Sequence, residues 1–231
     1  MRNAMLADRA DRILARLFPT RFRPGAPEGR HGRVGAPHLW RMQRAFQIDF
    51  LQRMGLAKEH HLLDLGCGTL RGGLPLIGYL SAGNYTGIDV RAEVIEEALR
   101  ELEEAGLEQR YPRIGHVESL AGLDLRASFD FIWAFGVLMH LEDADLEIAL
   151  SFAARHLAAR GTFYANVHLG DGRLGSWAGF PVIARPLDWY CARAQEAGLD
   201  AESLGRLSAI GHVSGDRNCD SQFMLRFRTA R

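Results

Sequence analysis

The sequence predicts an α/β protein with a doubly wound, mostly parallel sheet of seven strands, helices on both faces and an antiparallel edge strand near the C-terminus. Two observations lead to this prediction. From residue 61 to residue 167, short apolar segments alternate with helical patterns, as is typical of βαβ units. After residue 198, two strand-like segments follow one another without a helical pattern between them, as expected of an antiparallel pair.

The N-terminal 38 residues differ in composition from the rest of the chain. An apolar stripe predicts a short helix over Ala4–Phe18. The segment Pro19–His38 contains four prolines and four arginines, which is typical of a loop. Two interpretations of this loop stay open: a solvated linker, or a lid that becomes ordered over an active site when ligands bind. We therefore divide the chain into residues 1–38 and one larger domain, residues 39–231.

The larger domain begins with a helix over Leu39–Met54, in which Met42, Phe46 and Phe50 recur every four residues. Strand patterns follow over His61–Leu65, Tyr85–Val90, Arg113–Val117, Phe129–Phe135, Gly161–Val167, Glu202–Leu207 and Gln222–Arg228. Helical patterns lie over Gly72–Leu80, Ala92–Ala105, Asp143–Leu157 and Leu187–Ala197. The segment His168–Pro186 is predicted to be a glycine-rich loop.

Composition narrows the range of partners. The 28 basic and 28 acidic side chains give zero net charge, so we expect no nucleic-acid partner. No apolar run is long enough to span a bilayer, and the N-terminus lacks the pattern of a secretory signal, so we expect no membrane association. Three widely spaced cysteines favour a reducing, cytoplasmic location, and the nine histidines show no metal-binding spacing.

A glycine-rich turn follows the first predicted strand. Gly66 and Gly68 lie between this strand and the next helix, where glycines allow a sharp turn and the close approach of a ligand. The carboxylate of Asp64, just before the turn, would repel a pyrophosphate but attract the ammonium of an amino acid. Asp89 ends the second strand, where a carboxylate can accept hydrogen bonds from both ribose hydroxyls of an adenosine.

At these residues the chain resembles the class I methyltransferases that use S-adenosylmethionine (SAM). Asp64–Thr69, followed by Gly87–Asp89, is similar to the first two motifs of that family. Phe129–Trp133 resembles its fourth strand, and Val137–Leu141 resembles the segment after that strand. The resemblance implies a methyltransferase that binds SAM and releases S-adenosylhomocysteine (SAH).

The resemblance also implies a set of cofactor contacts. His116 stands where the family usually carries an acidic residue that faces the adenine amino group, so Glu118 or neighbouring backbone groups are expected to take that role. Cys67 is interpreted as a small buried side chain rather than a nucleophile. The implied contacts are Asp64, Gly66, Cys67 and Gly68 at the methionine part, Asp89 at the ribose, Val90, Val117 and Glu118 around the adenine, and Phe135 and Val137 closing over the cofactor.

His140 is the candidate catalytic residue. It follows the fourth predicted strand, at the edge of the sheet where doubly wound folds bind ligands. A neutral imidazole can accept a proton from a hydroxyl acceptor. The alternative is a structural histidine that covers the adenosine or begins the next helix.

The acceptor is expected to be a small molecule that is methylated on oxygen or nitrogen. Ala134–Val137 replaces the Asn/Asp-Pro-Pro-aromatic motif of amine-directed DNA and glutamine methyltransferases, and no Pro-Cys nucleophile of cytosine-C5 enzymes is present. The acceptor pocket is expected to involve Pro19–His38 and His168–Pro186, which carries Trp177 and Phe180.

Two other classes of function stay open at this point. One is a nicotinamide-dependent oxidoreductase on a related fold, against which Asp64 argues, as does Arg71 in the place of the third glycine of the dinucleotide motif. The other is a non-catalytic SAM-binding protein. The sequence does not specify the oligomeric state.

Overall fold

The structure, a computed structural model, describes residues 34–230, which fall into two compact units. The first unit comprises residues 34–117 and 211–216, and the second comprises residues 118–210 and 217–230. The helix predicted over Ala4–Phe18 and most of the loop predicted over Pro19–His38 lie outside the described residues. The proposed division at residue 38 therefore stays a prediction.

The first unit contains three parallel strands and three helices. The strands are β1 (Leu62–Leu65), β2 (Tyr85–Asp89) and β3 (Arg113–His116). The helices are α1 (Trp40–Arg53), α2 (Gly73–Tyr79) and α3 (Ala92–Ala105). Strand β2 lies between β1 and β3, with Leu62 opposite Tyr85 and Thr86 opposite Arg113. The carboxyl ends of β1 and β2 therefore lie side by side, and they carry the polar residues of the predicted cofactor site.

The helices of this unit follow the predicted apolar patterns. Met42, Phe46 and Phe50 of α1 are buried, as their four-residue spacing indicates. Helix α3 ends at Gly106, which adopts a left-handed conformation with φ of 64° that suits glycine. A feature that the pattern does not indicate is that α1 also buries polar side chains, namely Gln43, Arg44 and Gln47.

The second unit contains six strands and three helices. The strands are β4 (Phe129–Ala134), β5 (Leu157–Leu169), β6 (Gly172–Trp177), β7 (Phe180–Arg185), β8 (Leu199–Arg206) and β9 (Phe223–Thr229). The helices are α4 (Asp143–His156), α5 (Leu187–Glu196) and the single turn α6 (Arg217–Asp220). A short 3-10 helix, Leu138–His140, lies between β4 and α4. Strands β4 and β5 are parallel, whereas β9 pairs antiparallel with both β5 and β8.

The predicted fold class, a doubly wound and mostly parallel α/β sheet with an antiparallel element near the C-terminus, is confirmed. The antiparallel strand is β9, and it does not form an edge. Its residues pair with β5 along one side, where Val167 lies opposite Phe223, and with β8 along the other, where Leu199 lies opposite Thr229. Both of its hydrogen-bonding edges are thus satisfied within the sheet.

The segment predicted as a loop over His168–Pro186 is instead a hairpin, which raises the number of strands in residues 34–230 from seven to nine. Strands β6 and β7 pair antiparallel, with Trp177 opposite Phe180. The two residues between them, Ala178 and Gly179, have φ of 48° and 85°, the left-handed values of a type I′ hairpin turn. Glycines within this segment obscured its strand pattern in the sequence.

Within residues 34–230, no helix combines the length and the apolar character that crossing a membrane requires. The longest helices among these residues, α1, α3 and α4, have 14 residues each.

A steric requirement at Gly161 of β5 provides a test of the packing between β4 and β5. A Cβ atom at this position would lie 2.7 Å from the carbonyl oxygen of Phe129 and 2.9 Å from Cδ1 of Leu157. We expect Gly161→Ala to lower the free energy of unfolding by about 1–3 kcal/mol, because backbone atoms cannot move aside as a flexible side chain can. Urea denaturation measures this difference.

The matched control is Gly115→Ala in β3, where an added Cβ atom would have no atom of another part of the chain within 4 Å. This control should change stability by less than about 0.5 kcal/mol. Equal effects of the two substitutions would contradict the packing described for Gly161.

Candidate functional site

The turn after β1 has a backbone conformation that requires glycine. Gly66 and Gly68 have φ of 72° and 57°, which a residue with a side chain rarely adopts. The amides of Gly66 and Cys67 both donate to the carbonyl of Ile88 in β2, at 2.8 and 3.0 Å. The turn is therefore tied to the end of β2, as expected of a loop that binds a ligand at the carboxyl ends of parallel strands.

Asp89 joins the ends of β1 and β2. Its carboxylate accepts the backbone N–H of Gly68 at 3.1 Å and that of Arg91 at 3.0 Å. The guanidinium of Arg91 also lies against it, with Nε at 3.2 Å from Oδ1. Helix α3 begins after Arg91, so Asp89 is not its N-cap. The structure thus brings Asp89 together with Gly68, as the motif predicts, and adds a cation that the sequence reasoning missed.

Asp64 is buried behind the turn with one phenol beside it. The hydroxyl of Tyr85 donates to Oδ2 of Asp64 at 2.7 Å. Burial raises the pKa of Asp64 from 3.8 to about 7, while the Tyr85 hydrogen bond acts in the opposite direction. Such a carboxyl can hold a proton near neutral pH, and a neighbouring positive charge would favour its ionised form.

Cys67 lies between the two glycines and is buried. Burial raises the pKa of its thiol well above the usual value, and the neighbouring Asp64 carboxylate raises it further. A thiol that stays protonated is a poor nucleophile. The environment of Cys67 therefore agrees with a packing role.

Residues from before α1 lie directly over the glycine turn. A Cβ atom on Gly68 would lie 2.6 Å from Cγ1 of Val34. Arg71 holds this segment in place, because its Nη1 donates to the carbonyl of Val34 at 2.8 Å and to Oε1 of Gln43 at 2.5 Å. Val34 belongs to the small part of the Pro19–His38 loop that the structure describes.

Helix α1 supports the same turn from its buried polar side. Nε of Arg44 donates to the carbonyl of Arg71 at 3.1 Å. A Cβ atom on Gly72 would lie 2.3 Å from Oε1 of Gln47, so the two residues are in close contact. Gln43, Arg44 and Gln47 were missed by the sequence reasoning. The available signal was a polar group that recurs on one side of an otherwise apolar helix.

The predicted adenine contacts lie beyond the end of β2. Val90 is 49% exposed, an unusual position for an apolar side chain beside a buried carboxylate. The amide of Val117 donates to the carbonyl of Asp89 at 3.1 Å, which places Val117 next to the end of β2. Glu118, the first residue of the second unit, is exposed.

In the second unit, the residues after β4 form a separate group. The ring of Phe135 stacks on Trp133 with centroids 5.5 Å apart, so most of its surface is used in packing. Val137 is half-buried and precedes the 3-10 helix that ends at His140. His140 lies three residues before the start of α4, which rules out the alternative that it begins this helix.

The β6–β7 hairpin fixes the orientation of His140. The Nδ1 of His140 lies 2.8 Å from the carbonyl oxygen of Pro181, and its ring centroid lies 5.6 Å from that of Trp177. Because a carbonyl can only accept, Nδ1 carries the proton and Nε2 carries the lone pair of the neutral ring. His140 thus has the tautomer that a proton acceptor at Nε2 requires.

Buried Arg185 anchors the hairpin to the segment that carries His140. Its guanidinium donates to the carbonyl of Leu141 at 2.7 Å and to Oδ1 of Asp143 at 2.7 Å. The residues near His140 include no metal centre: among the side chains of residues 34–230, no three His, Cys, Asp or Glu groups are arranged to hold an ion.

Comparison with known proteins shows what this arrangement is similar to. Several solved structures share the fold. A SAM-dependent methyltransferase from Clostridium acetobutylicum aligns with a TM-score of 0.61 and 15% identity over 81% of this chain and 91% of that one. The glycopeptide N-methyltransferase MtfA aligns with a TM-score of 0.62 and 15% identity over 80% of this chain and 90% of that one. A DhpI–SAH complex covers 97% of both chains, with a TM-score of 0.60 and 16% identity.

The fold is doubly wound α/β, and its glycine turn lies where β1 meets the following helix. Residues 63–163, which include this turn and strands β2 to β4, match the family model described as a methyltransferase domain. This segment is thus similar to a methyltransferase domain, as the resemblance in the sequence motifs implied, and the fold is one that SAM-dependent methyltransferases also have. The match does not support the alternative of a nicotinamide-dependent oxidoreductase.

The raised pKa of Asp64 predicts how stability depends on pH. Its folded pKa of about 7 exceeds the usual 3.8, so between these values the folded state holds a proton that the unfolded state has released. The stabilisation that comes from this bound proton is therefore present at low pH and is lost as the pH rises to about 7. Asp64→Asn lacks this stabilisation, because an amide does not bind a proton in this pH range. We expect urea denaturation to show that stability falls more between pH 5 and pH 8 in the wild type than in Asp64→Asn.

Tyr85→Phe serves as the companion variant. Loss of the hydroxyl that favours the ionised carboxylate should move this pH-dependent loss to higher pH. Parallel pH profiles for the wild type and Asp64→Asn would show that the carboxyl of Asp64 does not titrate in this range.

Proposed function

We propose that this protein transfers a methyl group from SAM to an oxygen or nitrogen atom of a small molecule, with His140 as the base when the acceptor is a hydroxyl. The fixed tautomer of His140 is the observation that carries the proposal, because it presents the Nε2 lone pair beside an aromatic side chain, Trp177. When bound, SAM supplies a methyl group on a positively charged sulfur. The protein then needs to align the acceptor, exclude water and accept a proton.

The residues around the glycine turn fit the methionine part of such a cofactor. Asp64 is a buried carboxyl that a bound ammonium would ionise, since an adjacent positive charge lowers a carboxyl pKa. The side-chain oxygen of Thr69 is fully buried and has no hydrogen-bond partner within residues 34–230, so a polar group is still to be matched there. We propose that Asp64, Gly66, Cys67 and Gly68 bind the amino-acid end of SAM.

The residues after β2 fit the adenosine part. Asp89 lies where a carboxylate can bind a ribose, and it retains two backbone donors that keep it in place if the Arg91 guanidinium moves aside. The exposed side chain of Val90 offers an apolar surface to an adenine ring. We propose that Asp89 binds the ribose and that Val90 and Val117 contact the adenine. The assignment of Glu118, Phe135 and Val137 to the cofactor stays a prediction from the sequence.

A small-molecule acceptor is supported by the chemistry of the β6–β7 hairpin. The ring of Trp177 lies against His140, and Phe180 lies opposite Trp177 in the hairpin. Mostly apolar walls with a few fixed polar groups are typical of sites for small ligands. The similarity in fold to a glycopeptide N-methyltransferase, whose structures include complexes with SAM and SAH, is compatible with this acceptor class.

The ribose assignment is tested with Asp89→Ala. We expect the affinity for SAH to fall by about 1–3 kcal/mol, because the ribose hydroxyls lose a charged acceptor. Isothermal titration calorimetry with SAH measures the change, and thermal unfolding confirms that the variant is folded.

The control for this experiment is Arg91→Ala. It removes the guanidinium that covers Asp89 but leaves the carboxylate and the two backbone N–H donors. SAH affinity should therefore be retained. Unchanged binding to Asp89→Ala, or an equal loss in both variants, would contradict the assignment.

The role of His140 is tested by measuring turnover and cofactor affinity for one variant. We expect His140→Ala to lower kcat about 10²–10⁴-fold, the usual loss for a general base, while the Kd for SAM changes little. If His140 instead covers the adenosine, the Kd for SAM rises and kcat at saturation is largely retained. His61→Ala, on an exposed histidine before β1, is the control and should leave both constants unchanged.

A further inference from the structure

A chain of side-chain hydrogen bonds connects the end of β4 to a second histidine. The backbone N–H of Gly136 donates to Oδ1 of Asn166 at 2.6 Å. Nδ2 of Asn166 donates to Oε1 of Gln222 at 2.5 Å, and Nε2 of Gln222 lies 3.3 Å from Nε2 of His168. We call Asn166 and Gln222 the amide relay. Both relay side chains are buried, and His168 is half-buried.

The direction of every hydrogen bond in the amide relay follows from its first member. A backbone N–H can only donate, so the oxygen of Asn166 must face Gly136 and its NH₂ group must face Gln222. Gln222 then turns its oxygen to Asn166 and its own NH₂ group to His168. Because an amide NH₂ donates and does not accept, Nε2 of His168 must be the acceptor, and the ring proton must lie on Nδ1.

His140 and His168 therefore differ in what they can offer a ligand. His140 donates from Nδ1 to Pro181 and has its lone pair on Nε2. His168 accepts at Nε2, and within residues 34–230 no protein group accepts its Nδ1 proton. Burial lowers the pKa of His168 below the usual 6.5, and the nearby His140 lowers it further, so the neutral form with a single N–H is favoured.

We propose that His168 donates a hydrogen bond from Nδ1 to the acceptor atom of the substrate, and that His168 and His140 together select a hydroxyl over an amine. This inference rests on the proposed function, in which His140 is the base. A hydroxyl has one hydrogen to donate to Nε2 of His140 and two lone pairs, one for the Nδ1 proton of His168 and one for the methyl group. A neutral amine has only one lone pair, which the reaction needs, so the donor of His168 would be left unmatched.

The transfer balances with these groups. The acceptor oxygen forms the new bond to the methyl carbon with its free lone pair. The electron pair of the broken carbon–sulfur bond stays on sulfur, which leaves SAH uncharged at that atom. Nε2 of His140 takes the hydroxyl proton and later releases it to water, while the Nδ1 proton of His168 stays on its ring and stabilises the oxygen during the transfer.

The tautomer of His168 is the first test, and it needs no substrate. Long-range ¹H–¹⁵N spectra of the imidazole rings in the full chain report which ring nitrogen is protonated, and His168→Gln assigns the signals. At pH 7.5 we expect His168 to be neutral with the proton on Nδ1. A neutral ring protonated on Nε2, or a doubly protonated ring, would overturn the proposal.

Gln222→Glu tests the amide relay with a side chain of the same size. Its carboxylate can only accept, so Nε2 of His168 must become the donor and the lone pair must move to Nδ1, or the ring must gain a second proton. Gln195→Glu, the same change on the exposed side of α5, should leave the His168 signals unchanged. Should Gln222→Glu not fold, Gln222→Met removes the relay without adding charge, and His168 should then show a mixture of tautomers. An unaltered tautomer in the folded variant would contradict the relay.

The acceptor atom is tested with [methyl-¹³C]-SAM and an extract of small metabolites. The ¹³C shift of the new methyl group separates O-methyl from N-methyl products, and we expect O-methyl. Gln222→Glu should lower kcat/KM for that acceptor about 10- to 100-fold, the effect of a lost hydrogen bond, with the Kd for SAH unchanged. An N-methyl product would contradict this inference but would agree with the proposed function. If no labelled product forms, the result counts against the proposed function. The tautomer of His168 then still shows whether the amide relay is formed as described.

Discussion

The buried carboxyl of Asp64 is the feature on which the arrangement of the first unit depends. Burial disfavours its charge, whereas the hydroxyl of Tyr85 and, less strongly, the charge of Arg71 stabilise it. The phenol fits only because two neighbours lack side chains. A Cβ atom on Gly73 would lie 2.5 Å from the Tyr85 oxygen, and one on Gly87 would lie 3.0 Å from Cε1 of its ring. Gly73 and Gly87 therefore leave room for the phenol that contacts the carboxyl, whereas Gly66 and Gly68 allow the backbone to turn.

Because its pKa lies near 7, this carboxyl makes the site favour a ligand with a positive charge over one with a negative charge. At neutral pH it exchanges a proton, and a ligand that carries an ammonium would shift it to the anion, whereas a phosphate would not. In the proposed cofactor assignment, this is how the turn distinguishes an amino acid from the pyrophosphate that related glycine-rich turns bind. Burial makes the carboxyl costly to ionise. For the same reason, a bound cation changes its protonation state.

The fold and the motif positions could be predicted from the sequence because they depend on local patterns. The apolar spacing of α1, the alternation around β1 to β5 and the contact between Gly68 and Asp89 follow from residues close in sequence or in adjacent strands. The hairpin over β6 and β7 was missed, because glycines and a left-handed Ala178 carry no apolar signal. The polar contacts of Gln43 and Gln47, and those of Asn166 and Gln222, were missed because they join residues distant in sequence, and a single sequence does not show such pairings.

In the second unit, the tautomers of His140 and His168 are set by uncharged partners. A carboxylate beside an imidazole favours the charged ring and raises its pKa, as a negative charge does for any base. Here the partner of His140 is the carbonyl of Pro181, and the partner of His168 is the amide of Gln222, whose orientation goes back to the backbone N–H of Gly136. Backbone groups cannot reverse their polarity or lose a proton in the neutral range. Tautomers fixed in this way persist as long as the β6–β7 hairpin and the amide relay are folded. In the proposed mechanism, the proton donor and the proton acceptor are therefore set before any substrate binds.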